Sequence, residues 1–216
     1  NPYLTIQPEY EVGILEVFAE MVGGGYVYRD LKPVHWCYHC GTVLAEAELE
    51  YEDVTGPSIF VNFPLDEAGA GRARELLGVG EHDDAHILIW TTTPWTLPAN
   101  LAVAVHPSAQ YLAVRYAHPG TGETVVSILA EAAVGGALRR CGVDEYETLG
   151  QARGEELVGL TYRHPFIERT CPVVLAPYVA LEDGTGCVHT APGHGLEDYG
   201  TGLKEGLEIL SPVDEK

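Results

Sequence analysis

Two stretches of this 216-residue chain hold residue types and spacings that could do chemistry. The first is Trp90-Thr91-Thr92-Thr93-Pro94-Trp95-Thr96-Leu97-Pro98-Ala99-Asn100. It follows an apolar run, Ile87 to Trp90, that reads as a buried strand. Proline removes backbone donors and fixes φ, so Pro94 and Pro98 predict a rigid, non-regular segment leaving that strand. A buried hydroxyl without a partner is costly. The hydroxyls of Thr91, Thr92, Thr93 and Thr96 must therefore face backbone, water or a ligand. The plain alternative is a turn whose threonines cap their own backbone.

The second stretch runs from Asp183 to Tyr199. Gly184 and Gly186 allow a close backbone approach. Cys187 to Thr190 reads as short and extended, with His189 on it. Pro192 to Gly195 is a tight loop holding His194. Leu196 then opens a helix whose first turn carries Asp198, where a carboxylate is favourable against the helix dipole. Each residue also has a plainer explanation: a core histidine, a solvated loop histidine and a dipole-facing aspartate. No Ser-His-Asp or Cys-His set is visible, so oriented water fits better than a covalent acyl intermediate.

A third candidate is Cys37-Tyr38-His39-Cys40-Gly41. A Cys-x-x-Cys turn aims two thiolates at one metal, but tetrahedral zinc wants four ligands. No second pair follows, and Cys141, Cys171 and Cys187 stand alone. His35 and His39 are nearby, although His39 lies inside the turn. The spacing thus gives half a zinc site at Cys37 and Cys40, with inert thiols as the alternative. A redox site would want a βαβ setting, which is absent.

These residues need elements to hold them. Ile14, Leu15, Phe18, Met21 and Val22 fall at helical spacing, ended by Gly23-Gly24-Gly25. Ala45 to Tyr51 alternates and predicts a half-exposed strand with its glutamates in water. Ser58 to Phe63 predicts a strand, and Asp66 to Leu77 a helix ended by Gly78. Leu101 to Val105 is a buried strand. Tyr111 to Tyr116 and Thr124 to Leu129 make a hairpin. Ala130 to Cys141 predicts a helix; Tyr146 to Gly150, Glu156 to Tyr162 and Thr170 to Ala176 predict strands. The sum is a β-rich α/β domain, a barrel-like mixed sheet with a few peripheral helices.

Composition narrows the function. The net charge is −20, from 12 Lys and Arg against 32 Asp and Glu. Proteins that grip a long duplex show the opposite balance, because phosphate neutralisation supplies much of their affinity. A pocket for one terminal nucleotide remains open. Five cysteines give no even disulfide framework. There is no membrane-length apolar run and no signal-peptide pattern, so the expected location is cytoplasmic.

Trp90 to Asn100 resembles the threonine-rich peptide of the editing domain of isoleucyl-tRNA synthetases. Valyl and leucyl relatives usually carry arginine where this chain has Thr93. Gly184-Thr185-Gly186, Val188 to Gly195 and Asp198-Tyr199 resemble that family's second signature. There, valyl and leucyl enzymes typically have Ala-His-Asp in place of Gly193-His194-Gly195. The resemblance covers the whole chain, 1–216, as a single editing domain. It implies a connecting segment with the Cys-x-x-Cys knuckle over about 1–50 and an editing core over about 51–205. The ATP-handling motifs His-x-Gly-His and Lys-Met-Ser-Lys-Ser do not occur in this sequence.

The resemblance implies an aminoacyl-tRNA ester hydrolase that proofreads Val-tRNA(Ile), and valyl-adenylate, without ATP-dependent synthetic activity. Thr92 and Thr93 would position water or the ester carbonyl, and Asp198 would anchor the α-ammonium as the third catalytic residue. Thr91, Trp95, Thr96, Asn100, His189 and His194 would form the substrate-binding set, with His189 as a size gate. No cofactor is implied for editing, and zinc enters only with ligands from outside the chain. The implied partners are the valine-bearing 3'-terminal adenosine of tRNA(Ile) and the remainder of the synthetase, with no membrane. The rival readings are a zinc-knuckle nucleic-acid-binding module and a non-catalytic ligand-binding module.

Overall fold

A computed structural model describes residues 4–212 of the chain. Its contacts divide into two compact units, Asn1–Lys32 and Pro33–Lys216. The first holds one helix, α1 (Pro8–Gly23), which has proline in its first turn and buries none of its residues. Gly24 ends it, its N–H donating to Glu20 O at 2.8 Å.

The second unit opens with a two-stranded hairpin, β1 (Trp36–Cys37) and β2 (Thr42–Val43). There follow β3 (Ile59–Pro64), α2 (Glu67–Leu77), β4 (Ala85–Thr91), β5 (Ala102–Val105), β6 (Gln110–Ala117), β7 (Thr124–Ala130), α3 (Val134–Arg140), β8 (Glu147–Arg153), β9 (Thr161–Arg163), β10 (Thr170–Leu175), β11 (Cys187–Thr190) and α4 (Leu196–Glu205). Five strands form one sheet in the order β3-β4-β7-β6-β8, and four form another in the order β11-β5-β10-β9. Both are mixed: β4 pairs β7, and β10 pairs β5, in parallel, while the other pairs are antiparallel. The β-rich α/β architecture is the expected one. Among the described residues the strands remain in separate sheets and do not close into one barrel.

The main core includes residues of both larger sheets, Phe63, Ile87, Ile89, Val103, Val105, Val126, Ile128, Tyr162 and Val173 among them. A second cluster joins Leu88, Val114 and Leu129 to Val134 and Leu138 of α3. Covered on both faces, β4 reads as a continuous apolar run rather than an alternating one. α2 is capped at both ends. Asp66 Oδ1 accepts from Gly69 N at 2.8 Å, and Gly78 takes φ 67° at the C-terminus.

Three expected elements differ. Ala45 to Tyr51 is not a strand: Glu46–Glu48 forms a 3-10 turn, and Glu48 Oε2 accepts from Ala45 N at 2.7 Å. A carboxylate capping its own backbone removes the need for a neighbouring strand, and these glutamates do stay in water. Glu156 to Tyr162 is not one strand either. Gly154–Leu157 is a 3-10 turn closed by Glu156, which accepts from Arg153 N at 2.7 Å. Gly159 at φ 94° then turns the chain into the short β9. The helix expected from Ala130 starts as a 3-10 turn, Glu131–Ala133, and becomes α-helical only from Val134. Ala130 offers no side-chain oxygen to cap an earlier start.

Candidate active site

β4 delivers the threonines to one end of the five-stranded sheet. The segment beyond it, expected to be non-regular, is a 3-10 helix, Pro94–Ala99. The prolines allow this because the donors of its backbone bonds are not prolines: Thr96 N donates to Thr93 O at 3.0 Å and Asn100 N to Leu97 O at 2.9 Å. Arg169 Nη1 holds the far end, donating to Pro98 O at 3.2 Å and Asn100 O at 2.8 Å.

β11 lies against β4 and brings in the second stretch. Between them is a cleft of about 530 Å³. Thr91, Thr92, Thr93, Trp95 and Thr96 of the first stretch and His189, His194 and Asp198 of the second line it together. Asn100 does not line the cleft; it is fully buried behind it. The two conspicuous stretches, separated by more than eighty residues, thus share one concavity.

The four threonines divide the work. Thr91 Oγ1 accepts from Thr93 N at 3.0 Å and lies 3.3 Å from Thr93 Oγ1. Thr96 Oγ1 donates to Thr93 O at 2.9 Å. Those two hydroxyls cap their own turn. Thr92 is exposed on the cleft, and its hydroxyl has no partner among the described residues. Thr93 is also exposed and keeps bonding capacity beyond Thr91.

His189, from the second stretch, is held at both ring nitrogens. Asn100 Nδ2 is 2.8 Å from Nδ1, and Thr96 Oγ1 is 3.0 Å from Nε2. Burial, with His164 and His194 adding positive charge nearby, lowers its pKa to about 4. The imidazole is therefore neutral at pH 7. Asp198 sits in the first turn of α4, where Oδ2 accepts from Ala191 N at 2.8 Å and closes the loop between β11 and the helix. Burial pushes its carboxyl above the ordinary value, and the Ala191 N–H works against that shift. His194 stands exposed on the same loop.

Further residues add to the cleft lining. Trp90 forms a wall and Asp183 adds a second carboxylate to the lining. Asp183 had a sequence signal, its place beside the Gly184-Thr185-Gly186 turn, but nothing marked it as cleft-facing. Gly184, at φ 75°, packs on Trp90 so tightly that a Cβ would lie 2.9 Å from the indole. That is the close approach expected of this glycine. Cys187 lines the cleft but is buried. Its Sγ lies 3.8 Å from Ile128 O, and burial drives its thiol far above the usual range. It is a packing residue.

The knuckle is built differently. Gly41 N donates to Cys37 O at 2.8 Å, and Cys40 N to Cys37 Sγ at 3.4 Å. The Cys40 N–H and thiol lower the pKa of Cys37, while Cys37 raises that of Cys40. No group of three or more His, Cys, Asp or Glu able to hold a metal occurs among the described residues. Two thiols alone do not fit four-coordinate zinc.

A mixed β-rich domain with this threonine- and histidine-lined cleft defines a class that the comparisons name. The family model for tRNA synthetases class I (I, L, M and V) matches residues 1–189, and the chain belongs to that family. Isoleucine–tRNA ligase of Petrotoga mobilis is 47% identical over 216 residues, and that of Carboxydothermus hydrogenoformans 50% identical. All of the chain is covered in both cases, but only 21% and 22% of those ligases. The chain thus spans about a fifth of their length. Among solved structures, GlLeuRS-CP1 matches with a TM-score of 0.55 at 20% identity, covering 71% of this chain and 66% of that one. The Plasmodium knowlesi (P. knowlesi) cytosolic leucyl-tRNA synthetase editing domain matches with a TM-score of 0.55 at 17% identity, covering 70% and 64%. These two likenesses concern the fold.

Proposed function

We propose that this chain is the editing domain of an isoleucine–tRNA ligase and hydrolyses the ester linking valine to the 3'-terminal adenosine of tRNA(Ile). The observation that carries the reading is the convergence of the exposed Thr92 and Thr93 hydroxyls, a carboxylate and a fixed neutral imidazole in one cleft. The near-50% identity to isoleucine–tRNA ligases supports the choice of amino acid. Valyl-adenylate, whose valyl group is bonded to a phosphate and leaves AMP on hydrolysis, is a second proposed substrate.

Water attacks the ester carbonyl, the acyl–oxygen bond breaks, and the proton goes to the ribose oxygen, releasing valine and uncharged tRNA. Thr92 and Thr93 position the water or the carbonyl, and Asp198 pairs with the α-ammonium through a charge-assisted hydrogen bond. Thr91, Thr96 and Trp95 shape the pocket, with His194 at its mouth. His189, backed by Asn100, limits side-chain size. One methylene is worth only about 1–3 kcal/mol in a binding pocket, a limit for which isoleucine against valine is itself the known example. A second, sterically selective site answers that limit. The acidic balance argues against this chain gripping a long duplex, so the cleft takes one tRNA end and the rest of the ligase holds the remainder. The proposed location is the cytoplasm, and no described helix is long and apolar enough to cross a membrane.

The test is single-turnover deacylation of Val-tRNA(Ile) and Ile-tRNA(Ile), by the chain alone and within its full-length ligase. Hydrolysis of the valyl ester well above the buffer rate, with the isoleucyl ester spared, is expected. No valyl hydrolysis in either setting would reject the reading.

A further inference from the structure

A row of hydrogen bonds runs from the core to the back of the cleft. Tyr162 Oη, fully buried, donates to Asn100 Oδ1 at 2.6 Å. Asn100 Nδ2 donates to Ala102 O at 2.9 Å and lies 2.8 Å from His189 Nδ1. His189 Nε2 lies 3.0 Å from Thr96 Oγ1, which donates to Thr93 O at 2.9 Å.

Two backbone carbonyls fix every proton in this row. A carbonyl only accepts, so the Asn100 atom facing Ala102 O is the NH2 group. Turning the amide over would set oxygen against oxygen. An amide NH2 has no lone pair to offer, so His189 Nδ1 must accept, and a neutral imidazole accepting there carries its proton on Nε2. The other end gives the same answer independently. Thr96 has one O–H, and Thr93 O takes it. Thr96 can therefore meet His189 only as an acceptor, and Nε2 must donate. Of the two lone pairs on Thr96 Oγ1, one receives that N–H and one is left.

We infer that Tyr162 and Asn100 are positioning residues that hold His189 as its Nε2–H tautomer, so that Thr96 offers the cleft a lone pair and not a proton. The inner wall then selects a ligand group that donates. On the editing reading, on which this last step rests, that group is the α-ammonium or a ribose hydroxyl of the aminoacyl end. Neither nitrogen of His189 is free to take a proton from water, which removes it as a general base in this arrangement. Tyr162 itself carries no sequence signal beyond an apolar strand.

The ionisable surroundings agree. His164 and His194 act electrostatically on His189, and both oppose further positive charge on it. Cys171 and Arg169 neighbour Tyr162, whose phenol burial pushes well above its usual range, so it remains a donor. Protonating His189 at Nδ1 would set an N–H against the Asn100 NH2 group. Hydrogen bonds in such a chain also strengthen one another: the Tyr162 O–H polarises the Asn100 amide and makes its N–H a better donor.

The experiment is nitrogen NMR of isotope-labelled histidines in the whole chain, without tRNA, followed over pH. His189 is expected as one neutral Nε2–H tautomer through the neutral range, with a midpoint close to 4. An Nδ1–H tautomer, a mixture, or an ordinary midpoint in the wild-type protein overturns the proposal without any variant. Asn100→Asp should raise the midpoint and populate the imidazolium, because a carboxylate accepts from Nδ1–H while Thr96 still accepts from Nε2–H. A folded variant with an unmoved midpoint would remove Asn100 from the role. Tyr162→Phe should keep the tautomer but move the midpoint upward, and an unmoved midpoint rejects Tyr162. None of these readouts requires hydrolysis, so failure of the editing assay leaves them readable, and the reverse.

Discussion

The cleft and the Cys37–Cys40 knuckle are equally conspicuous in the sequence, yet the fold treats them in opposite ways. The groups behind His189 are partnered: Asn100 bonds Tyr162, Ala102 and His189, and Arg169 clamps the backbone of the same turn. The knuckle thiols lean mainly on each other and on their own turn, and Cys40 is exposed. A functional group held within a fraction of an ångström needs supports outside the group itself. The cleft has them in one chain. The knuckle supplies two ligands and a turn, and nothing further among the described residues. The difference shows that spacing alone nominates a site, while satisfied buried partners build one.

The contrast is sharpest if the unsupported hydroxyls carry the chemistry. Thr92→Val with Thr93→Val keeps volume and deletes both hydroxyls. Removing one positioned donor of this kind typically costs about 10²–10³ in turnover. Single-turnover deacylation of Val-tRNA(Ile) by the full ligase should fall at least that far. Thermal stability should hardly change, since both side chains are exposed. An undiminished rate would return the segment to a self-capping turn.

His189 comes next. Its folded pKa of about 4 lies below the ordinary 6.5, so between those values the unfolded chain binds more protons. Stability is thus full above about pH 6.5 and falls as pH drops toward 4, by on the order of 3 kcal/mol from this group. Denaturant titrations across that window check it, with His189→Ala expected to flatten the slope. The same variant separates gate from base. A gate predicts that Ile-tRNA(Ile) is now hydrolysed while valyl hydrolysis persists. A base predicts that both slow together, by roughly 10²–10⁴-fold.

Asp198 should give a smaller effect. Asn at this position can still accept from Ala191 N–H, so the loop stays closed while the charge goes. A hydrogen bond to a charged group is worth about 1.5–3 kcal/mol. Asp198→Asn should therefore weaken a valyl-adenosine analogue about ten- to a hundredfold and leave its desamino counterpart unchanged. Equal losses for both would end the anchoring role. Because burial raises the carboxyl, the ionised form disfavours folding as pH rises past the unfolded value, so Asn should raise Tm slightly at neutral pH. Affinity of the wild-type protein for the ammonium ligand should fall on acidification sooner than a surface carboxylate would dictate.

What the sequence could reveal follows from how local each feature is. α2 was legible because Asp66 and Gly78 are its own caps. The two signatures were legible as motifs, and their meeting followed from β11 lying beside β4. The Ala45 to Tyr51 alternation misled because period two needs a neighbour to become a strand, and Glu48 satisfied the backbone first. The division of labour among the threonines was hidden, since four identical side chains differ only in what each one meets. Tyr162 was invisible for a stronger reason. Its hydroxyl finds Asn100 across 62 residues of sequence, and an apolar strand gives no hint of that.

The smallest effect belongs to the knuckle. Cys37→Ser with Cys40→Ser removes both thiols from a hairpin that packs its own turn and lends no side chain to the cleft lining. Valyl deacylation by the isolated chain, where measurable, should stay within about twofold, as for a surface change away from buried partners. Metal analysis of desalted wild-type chain should find zinc weakly held and lost to a chelator, because two thiolates leave half of a tetrahedral shell to water. In the full-length ligase the same double substitution should release zinc only if distant residues complete the shell. Comparing metal content in the two settings therefore locates the missing ligands. Tight stoichiometric zinc in the isolated chain would overturn the contrast with the cleft, since His35 or His39 would then have to complete a site that the described geometry leaves at two ligands.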